Sequence, residues 1–273
     1  MGSGIAEICA RASLDVVVRD VDEAALEAAR RRIERSLERG LRAGKLDREG
    51  RDAALQRIKL VTDYEALEDR QLVVEAVVED EATKEEVFRV LGRVVRDPHA
   101  ILASNTSSIP IMKLAMASGR PAAILGMHFF NPVPVLQLME LVPTLLTAVE
   151  TTERAETFAR DVLDRRVIRS KDRAGFIVNA LLIPYLLSAI RMIESGFATR
   201  DDIDAGMVEG CNHPMGPLAL ADLIGLDTLA AVAQSLYEEF KEPLYAAPPL
   251  LSRMVEAGLL GRKTGRGFYE YAR

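Results

Sequence analysis

The sequence contains no tryptophan, two cysteines and three histidines in 273 residues. Cys9 and Cys211 have neither the spacing of metal ligands nor a surrounding disulfide framework. We therefore expect both to be free thiols in a reducing compartment, and each is equally well explained as a core residue. No bound metal is expected.

The sequence also lacks an excess of basic residues. Lys and Arg number 35 against 41 Asp and Glu, which gives a net charge of -6, and no region is dominated by positive charge. Because phosphate contacts require clustered Lys and Arg, we do not expect a nucleic-acid partner.

No stretch predicts a targeting signal or a membrane span. The first residues carry Glu7 and lack the basic start of a secretory signal. Ala6 stands where a myristoylation signal needs Ser or Thr. The longest mostly apolar run, Ala180 to Ile190, is too short to cross a bilayer and contains Pro184. We therefore expect a cytoplasmic protein without membrane contact.

Predicted strands and helices alternate through the first 171 residues, whereas only helical patterns follow. This alternation predicts a parallel sheet covered by helices on both faces. The sequence thus predicts an α/β fold, with a Rossmann-like nucleotide-binding domain over residues 1–171 and an all-helical domain over residues 172–273. The predicted strands are 15–20, 59–62, 72–77, 101–103, 122–128, 136–141 and 166–169.

The segment 175–194, GFIVNALLIPYLLSAIRMIE, predicts a helix that is apolar on nearly every side. Such a helix needs neighbours on all sides to bury it. It is therefore either the central helix of the second domain or part of a subunit interface.

The nucleotide-binding pattern is incomplete at its start. A Rossmann site needs a strand, a G-x-G-x-x-G turn and a helix whose N-terminus faces the pyrophosphate. The chain opens with MGSGIAE, so Gly2 can serve as the third glycine while the first strand and first two glycines are missing. Either Met1 is an internal methionine or the protein is shortened. Absence of the first strand should expose the hydrogen-bonding edges of two strands in the middle of the sheet.

Asp20 ends the predicted strand 15–20, where an acid accepts hydrogen bonds from the adenosine ribose. An acid there repels a 2′-phosphate and so favours NAD over NADP. The alternative is an aspartate that merely ends a strand.

Glu79 follows the predicted strand 72–77, at the carboxyl edge where ligands bind in open α/β sheets. Lys84 lies in the first turn of the next helix. The two are candidates to reach a nicotinamide ribose and a substrate phosphate. The alternative is a solvated Glu–Lys pair that contributes less than about 1 kcal/mol.

His128 ends the strand 122–128, and Pro132 and Pro134 fix the backbone just after it. Glu140 is the one carboxylate in an otherwise apolar strand, QLMELV. A buried carboxylate needs a partner, and a histidine oriented by a glutamate is a general base suited to neutral pH. The alternative is a hydrogen-bonded core histidine.

Further polar residues complete the candidate site. Residues 104–108, SNTSS, form a polar cluster on the preceding strand end that can bind both a substrate oxygen and a cofactor ribose. Asn131 supplies an amide close to His128. Asn179 interrupts the apolar segment 175–194, and its amide requires hydrogen-bonding partners.

These motifs together resemble the L-3-hydroxyacyl-CoA dehydrogenase family over nearly the whole chain, and are most similar to its single-function bacterial 3-hydroxybutyryl-CoA dehydrogenases. The motifs that carry the resemblance are VVEAVVEDEATKEEVF, SNTSSIPI, GMHFFNPVPVLQLMELV, GFIVNALL, HPMGPLALADLIGLDT and GRKTGRGFYEY.

The resemblance implies reversible NAD-dependent oxidation of an (S)-3-hydroxyacyl-CoA to the 3-oxoacyl-CoA, in a homodimer formed by the helical domain. It implies His128 as the base paired with Glu140, and Ser107 and Asn179 as polar partners of the substrate. The residues expected to bind the cofactor are Gly2, Asp20, Glu79, Lys84, Asn105, Ser107 and Asn131. For CoA, Ser36 and one base among Arg39, Arg42 and Lys45 are candidates, although all four are equally explained as solvated helix residues.

Two other functions remain open from the sequence. A related dehydrogenase of a free hydroxy acid or sugar acid would keep His128 and Glu140 and differ in the CoA pocket. A non-catalytic, crystallin-like protein on the same fold is the third reading. The intact His128, Glu140, Asn131 and Asn179 argue against it, and the absent first strand argues for it.

Overall fold

The computed structural model describes residues 1–271. The chain divides into two compact units, the first comprising Met1–Asp172 and the second beginning at Arg173. The first unit combines strands with helices, whereas the second is helical, as the sequence predicts.

The first unit contains seven strands. They are β1 (Val16–Arg19), β2 (Ile58–Val61), β3 (Leu72–Glu75), β4 (Ile101–Ser104), β5 (Ile124–Phe129), β6 (Leu138–Pro143) and β7 (Arg166–Arg169). Its helices are α1 (Gly2–Arg11), α2 (Glu23–Arg42), α3 (Arg48–Gln56), α4 (Glu81–Val94), α5 (Ile111–Ser118) and α6 (Val149–Thr157). Short 3₁₀ helices span Tyr64–Leu67 and Pro121–Ala123, and a π-helical turn, Phe158–Val162, extends α6.

Aspartates fix the starts of several helices. The Asp22 carboxylate accepts a hydrogen bond from the Ala25 amide and so caps the N-terminus of α2. Asp80 caps α4 in the same way, through the Thr83 amide. This cap fixes the start of α4 at Glu81 and so orients its first turn, in which Lys84 lies.

The strands form two separate sheets. β1 pairs only with β2, and a second sheet has the order β3-β4-β5-β6-β7. A groove of about 1860 Å³ lies between β1 and β3, lined by both strands and by residues of α1, α2 and α4. The predicted exposure of two strand edges in the middle of the sheet is therefore confirmed.

The predicted parallel sheet is confirmed except at one pair of strands. β6 runs antiparallel to β5, and the remaining pairs are parallel. The chain passes from β5 to β6 through residues 130–137 without an intervening helix. A connection this short reverses the chain direction, whereas a parallel pair requires a long crossover.

All six residues of β5 are buried, which places this strand at the centre of the larger sheet. Met127 and Leu125 pack there against Met139 and Leu141 of β6 and against Ile5 of α1. This burial explains why the strand is apolar along its whole length except at His128. A polar side chain at that position must have its hydrogen bonds satisfied inside the protein.

Up to residue 271, the second unit contains five α-helices. They are α7 (Val178–Glu194), α8 (Arg200–Cys211), α9 (Pro217–Ile224), α10 (Leu226–Phe240) and α11 (Pro249–Glu256). Short 3₁₀ helices span Pro243–Tyr245 and Arg262–Thr264. Asp222 is fully buried, and its carboxylate accepts hydrogen bonds from the amides of Phe268 and Tyr269 and from the Tyr271 hydroxyl.

α7 begins three residues later than predicted, at Val178 instead of Gly175. Gly175 and Phe176 have positive φ angles, 75° and 46°, and these left-handed conformations are incompatible with an α-helix. A side chain at Gly175 would also approach Leu236 to 2.8 Å, so both the space and the conformation favour glycine.

α7 is not buried on all sides by its own chain. Leu186, Leu187 and Ile190 are fully buried in the core of the second unit. On another face, Leu181 is 72% exposed and Met192 is 42% exposed. Within residues 1–271 no single helix is long and apolar enough to span a membrane. The adjoining helices α9 and α10 reach that length and hydropathy only as a pair bent by 95°.

Candidate active site

His128 and Glu140 are brought together by the antiparallel pairing of β5 and β6. The two residues are direct partners in the ladder, so both side chains lie on the same face of the sheet. His128 Nδ1 lies 2.8 Å from Glu140 Oε2. His128 is 4% exposed and Glu140 is 0% exposed, so water contributes little to the solvation of either side chain.

The second ring nitrogen of His128 faces Ser107. Ser107 Oγ lies 3.0 Å from His128 Nε2, and Ser107 is partly exposed. The ring of Phe130 packs on the imidazole with centroids 4.7 Å apart. The imidazole is thus held at both nitrogens, and Ser107 lies where its Nε2 edge approaches the protein surface.

The polar cluster 104–108 makes different contacts from one residue to the next. The Asn105 side-chain oxygen accepts a hydrogen bond from the Phe129 amide at 2.9 Å, which ties the cluster to the strand that carries His128. Ser104 and Thr106 point to the acids Glu75 and Glu79. Ser107 is therefore the residue of the cluster that contacts the imidazole directly.

The Glu79 carboxylate forms hydrogen bonds with several residues of the polar cluster 104–108. Its Oε1 accepts hydrogen bonds from the Thr106 hydroxyl, from the Ser107 amide at 2.9 Å and from the Ser108 amide at 3.2 Å. Partial burial acts to raise the pKa of Glu79. The Lys84 charge and these hydrogen bonds outweigh burial and hold the pKa below its usual value.

Lys84 is not part of a solvated pair. Its Nζ lies 2.7 Å from Glu75 and 3.3 Å from Glu79, and its side chain is 1% exposed. The alternative of a solvated Glu–Lys pair is therefore wrong. Lys84 lies between two carboxylates, and its direct contact with a cofactor remains a prediction.

Asp20 and Gly2 line the groove between β1 and β3. Asp20 Oδ1 accepts a hydrogen bond from the Val21 amide, and its other oxygen has no partner among the residues that the structure describes. The guanidinium of Arg19 is bound within the chain, because it donates a hydrogen bond to the Thr62 carbonyl and lies over the ring of Tyr64. A free carboxylate oxygen at a strand end fits a ribose hydroxyl.

Gly2 stands at the start of α1 and faces Ala76, the residue just after β3. A Cβ added at Gly2 would meet the Ala76 Cβ at 3.6 Å, which is an ordinary contact. At Gly4 the same atom would meet the Val133 Cβ at 3.0 Å. The tighter packing of α1 is therefore at Gly4, and the role of Gly2 toward a cofactor remains a prediction.

The remaining two candidates make fewer contacts. Asn131 is exposed and is joined to Pro132 by a cis peptide bond. Asn179 is half-buried in the first turn of α7, in the second unit. Their contacts with cofactor and substrate remain predictions.

Comparison with known proteins decides the family. Residues 1–173 match the family model for the NAD-binding domain of 3-hydroxyacyl-CoA dehydrogenase. Residues 175–271 match the model for the C-terminal domain of the same family. The chain belongs to the 3-hydroxyacyl-CoA dehydrogenase family. Its first unit is the family's NAD-binding domain.

Individual members of this dehydrogenase family are similar over the full chain. A 3-hydroxybutyryl-CoA dehydrogenase of Mycobacterium tuberculosis is 60% identical over 271 residues, which cover 99% of this chain and 95% of the relative. The crystal structure of FadB2 from M. tuberculosis is 61% identical with a TM-score of 0.99, covering 100% of this chain and 95% of that one. The (S)-3-hydroxybutyryl-CoA dehydrogenase of Ralstonia eutropha is 43% identical with a TM-score of 0.93, covering 100% and 96%.

Two residues of this dehydrogenase site were not assigned from the sequence. Glu75 was assigned only to a strand, and Ser104 only to the polar cluster, whereas the two side chains bond each other at 2.6 Å. The available signal was an acid inside the apolar run LVVEAVV. No group of three or more His, Cys, Asp or Glu side chains within residues 1–271 is arranged to hold a metal.

Proposed function

We propose that the protein catalyses the reversible, NAD-dependent oxidation of (S)-3-hydroxybutyryl-CoA to the 3-oxoacyl-CoA. The observation that carries the proposal is the buried His128–Glu140 pair, with Ser107 Oγ 3.0 Å from the outer imidazole nitrogen. Support for this substrate comes from the two relatives named above as 3-hydroxybutyryl-CoA dehydrogenases.

The His128–Glu140 pair is suited to remove a proton. With Glu140 accepting a hydrogen bond from Nδ1–H, the neutral imidazole presents the lone pair of Nε2 toward Ser107. Nε2 then takes the proton of the 3-hydroxyl. Glu140 stabilises the imidazolium that forms, because its carboxylate is 2.8 Å from Nδ1 in a site with little water.

NAD, when bound, supplies the acceptor for the hydride that leaves carbon 3. On the chain's side, Asp20 is proposed to accept hydrogen bonds from the adenosine ribose. The groove that Asp20 shares with Gly2 is open along the carboxyl end of β3, where ligands bind in sheets of this kind. The other proposed contributors to cofactor binding are Glu79, Lys84, Asn105, Ser107 and Asn131.

Ser107 and Asn179 are proposed to bind the substrate. The Ser107 hydroxyl is next to Nε2 and can form a hydrogen bond with the 3-hydroxyl of the substrate. The Asn179 amide can donate a hydrogen bond to the thioester carbonyl. Both interactions orient the substrate and leave the proton transfer itself to His128.

We further propose a homodimer formed through the helical domain. Leu181 and Met192 lie on one face of α7, together with Tyr185 and Ser188 between them, and Leu181 is 72% exposed. Burying such a stripe against a second copy stabilises the pair by about 25 cal/mol per Å² of apolar surface. A cytoplasmic location is also proposed, and the two free cysteines are compatible with a reducing compartment.

The test is oxidation of NADH, followed with acetoacetyl-CoA and separately with free acetoacetate. Activity with the CoA ester alone is expected. Activity with free acetoacetate alone would favour the hydroxy-acid alternative, and activity with neither would favour a non-catalytic protein.

The His128→Gln variant assigns the base. We expect it to bind NADH with wild-type affinity and to lose about 10²–10⁴-fold in rate, the usual contribution of general-base catalysis. The exposed His99 offers a matched control, since His99→Gln should keep wild-type turnover. Near-normal turnover of His128→Gln would end the assignment.

A further inference from the structure

We propose that Glu75 is a positioning residue for the cofactor side of the site. It holds Lys84 in the protein interior. Lys84 in turn fixes the Glu79 carboxylate in the position where it binds the Ser107 amide. This assignment rests on the proposed NAD-dependent function.

Glu75 lies at the end of β3, and its side chain is fully buried. Its Oε1 accepts hydrogen bonds from the Val77 amide and from Lys84 Nζ, each at 2.7 Å. Its Oε2 accepts a hydrogen bond from the Ser104 hydroxyl at 2.6 Å. A buried carboxylate is stable only with such a set of donors, so Glu75 joins β3 to α4 and to the end of β4.

Lys84 depends on this carboxylate. Its side chain is 1% exposed, and Glu75 and Glu79 are the two carboxylates within 4 Å of its ammonium group among the described residues. Glu75 is the nearer, at 2.7 Å against 3.3 Å for Glu79. If Glu75 loses its charge, Glu79 becomes the sole counter-ion of a buried ammonium, and the two are expected to move together.

A movement of Glu79 would change the cluster that it binds. Glu79 Oε1 accepts hydrogen bonds from the amides of Ser107 and Ser108, at 2.9 and 3.2 Å. Ser107 Oγ is in turn 3.0 Å from His128 Nε2. The contacts therefore run without a break from Glu75, through Lys84 and Glu79, to the serine that touches the proposed base.

A purely structural ion pair is the competing explanation. Buried pairs are weak indicators of stability, because desolvation offsets the attraction between the charges. The two explanations differ in what a charge-removing substitution does. A structural pair affects only stability, whereas a positioning residue also changes cofactor affinity.

The test is the Glu75→Gln variant, with NADH affinity measured by calorimetry and KM for NADH and kcat measured in the acetoacetyl-CoA reaction. We expect the Kd and the KM for NADH to rise by about tenfold or more, the factor that corresponds to about 1.4 kcal/mol. We expect kcat at saturating NADH to fall by a smaller factor than KM rises, because the contact between His128 and Glu140 is untouched.

Asp222→Asn is the matched control. It also replaces a fully buried carboxylate that accepts three hydrogen bonds, but it lies in the second unit. It should lower the melting temperature while NADH affinity remains at the wild-type value. If both variants lose stability and neither loses affinity, Glu75 is only structural.

Three further outcomes are informative. If Glu75→Gln does not fold, Glu75→Asp keeps the charge but withdraws the carboxylate from Lys84, and wild-type NADH affinity in that variant would overturn the proposal. If the wild-type protein binds NADH but does not reduce acetoacetyl-CoA, the proposed substrate is wrong while the affinity measurement still tests Glu75. If the wild-type protein binds no NADH, the proposed function and the Glu75 assignment both fail.

Discussion

His128 and Glu140 face each other across two antiparallel strands, with Nδ1 and Oε2 2.8 Å apart. Their separation in sequence is set by the turn between β5 and β6, and their common orientation is set by the ladder register. A shift of the register by one residue would turn Glu140 to the opposite face of the sheet. The proposed catalytic pair is therefore specified by the pairing of β5 with β6, and the turn between the two strands contributes only its length.

Glu140→Gln should separate the orienting role of this carboxylate from its charge. The amide oxygen can still accept the hydrogen bond from Nδ1–H, but it cannot stabilise an imidazolium. We expect kcat to fall by about 10²-fold or more, with NADH affinity unchanged. The exposed Glu150 provides the control, as Glu150→Gln should not change kcat. A kcat for Glu140→Gln within about twofold of wild type would show that the charge of Glu140 does not contribute to the rate.

Leu181→Asp should dissociate the proposed homodimer. Leu181 is 72% exposed on α7, so the substitution removes little packing within one chain and places a charge in the proposed interface. Sedimentation velocity should give twice the chain mass for wild type and a single chain mass for the variant. Met116, which is 60% exposed on α5 in the first unit, is the control position, and Met116→Asp should stay dimeric. A dimeric Leu181→Asp would place the interface elsewhere.

The two cysteines should differ in reactivity. Burial raises the pKa of Cys9 to about 12, against a smaller opposing effect of the Arg165 charge. At pH 8 only about one Cys9 thiol in ten thousand is then ionised, and the thiolate is the reactive form. Cys211 is exposed. A disulfide reagent should therefore titrate one thiol rapidly in the native protein and the second only after unfolding.

Substitution of each cysteine assigns the two phases. Cys211→Ser should abolish the rapid phase, and Cys9→Ala should leave it unchanged. A rapid phase that persists in Cys211→Ser would show that the helix carrying Cys9 opens under native conditions.

Much of the candidate site was predictable because its residues lie within apolar strands or just after them. The apolar runs before His128 and around Glu140 predict buried strands, and a polar residue within each requires a partner. The alternation of elements gave the fold class and the helical second domain. The parallel direction predicted for β6 was wrong, because strand direction depends on the connection. The short turn between β5 and β6 closes an antiparallel pair.

The burial of Lys84 could not be predicted from its own segment. Helical periodicity places Lys84 near the start of α4, but its environment depends on how that helix crosses β3 and β4. The Glu75 carboxylate and the Ser104 hydroxyl come from those two strands. The local sequence predicts on which face of a helix a residue lies. The residues that this face contacts depend on the packing of segments distant in sequence.

The split between β1 and β3 should be visible in hydrogen exchange. The amides of Val16 and Asp20 donate hydrogen bonds to the carbonyls of Arg57 and Val61, on the side of β2. In a parallel strand, alternate residues form hydrogen bonds with the same neighbouring strand. The amides of Val17 and Arg19 therefore point toward the groove. We expect them to exchange faster than that of Val18, measured by amide exchange at residue resolution.

Filling the groove should change both this exchange and cofactor affinity. A fusion that places an apolar β-branched segment and a G-x-G turn ahead of Met1 can pair with β1 and β3 and extend the N-terminus of α1, where backbone amides bind phosphate. We expect the amides of Val17 and Arg19 to become protected and NADH to bind at least about tenfold more tightly, a gain of about 1.4 kcal/mol. A flexible Gly/Ser extension of equal length is the control and should change neither. Unchanged exchange and unchanged affinity in the apolar fusion would show that the groove between β1 and β3 does not accept a strand.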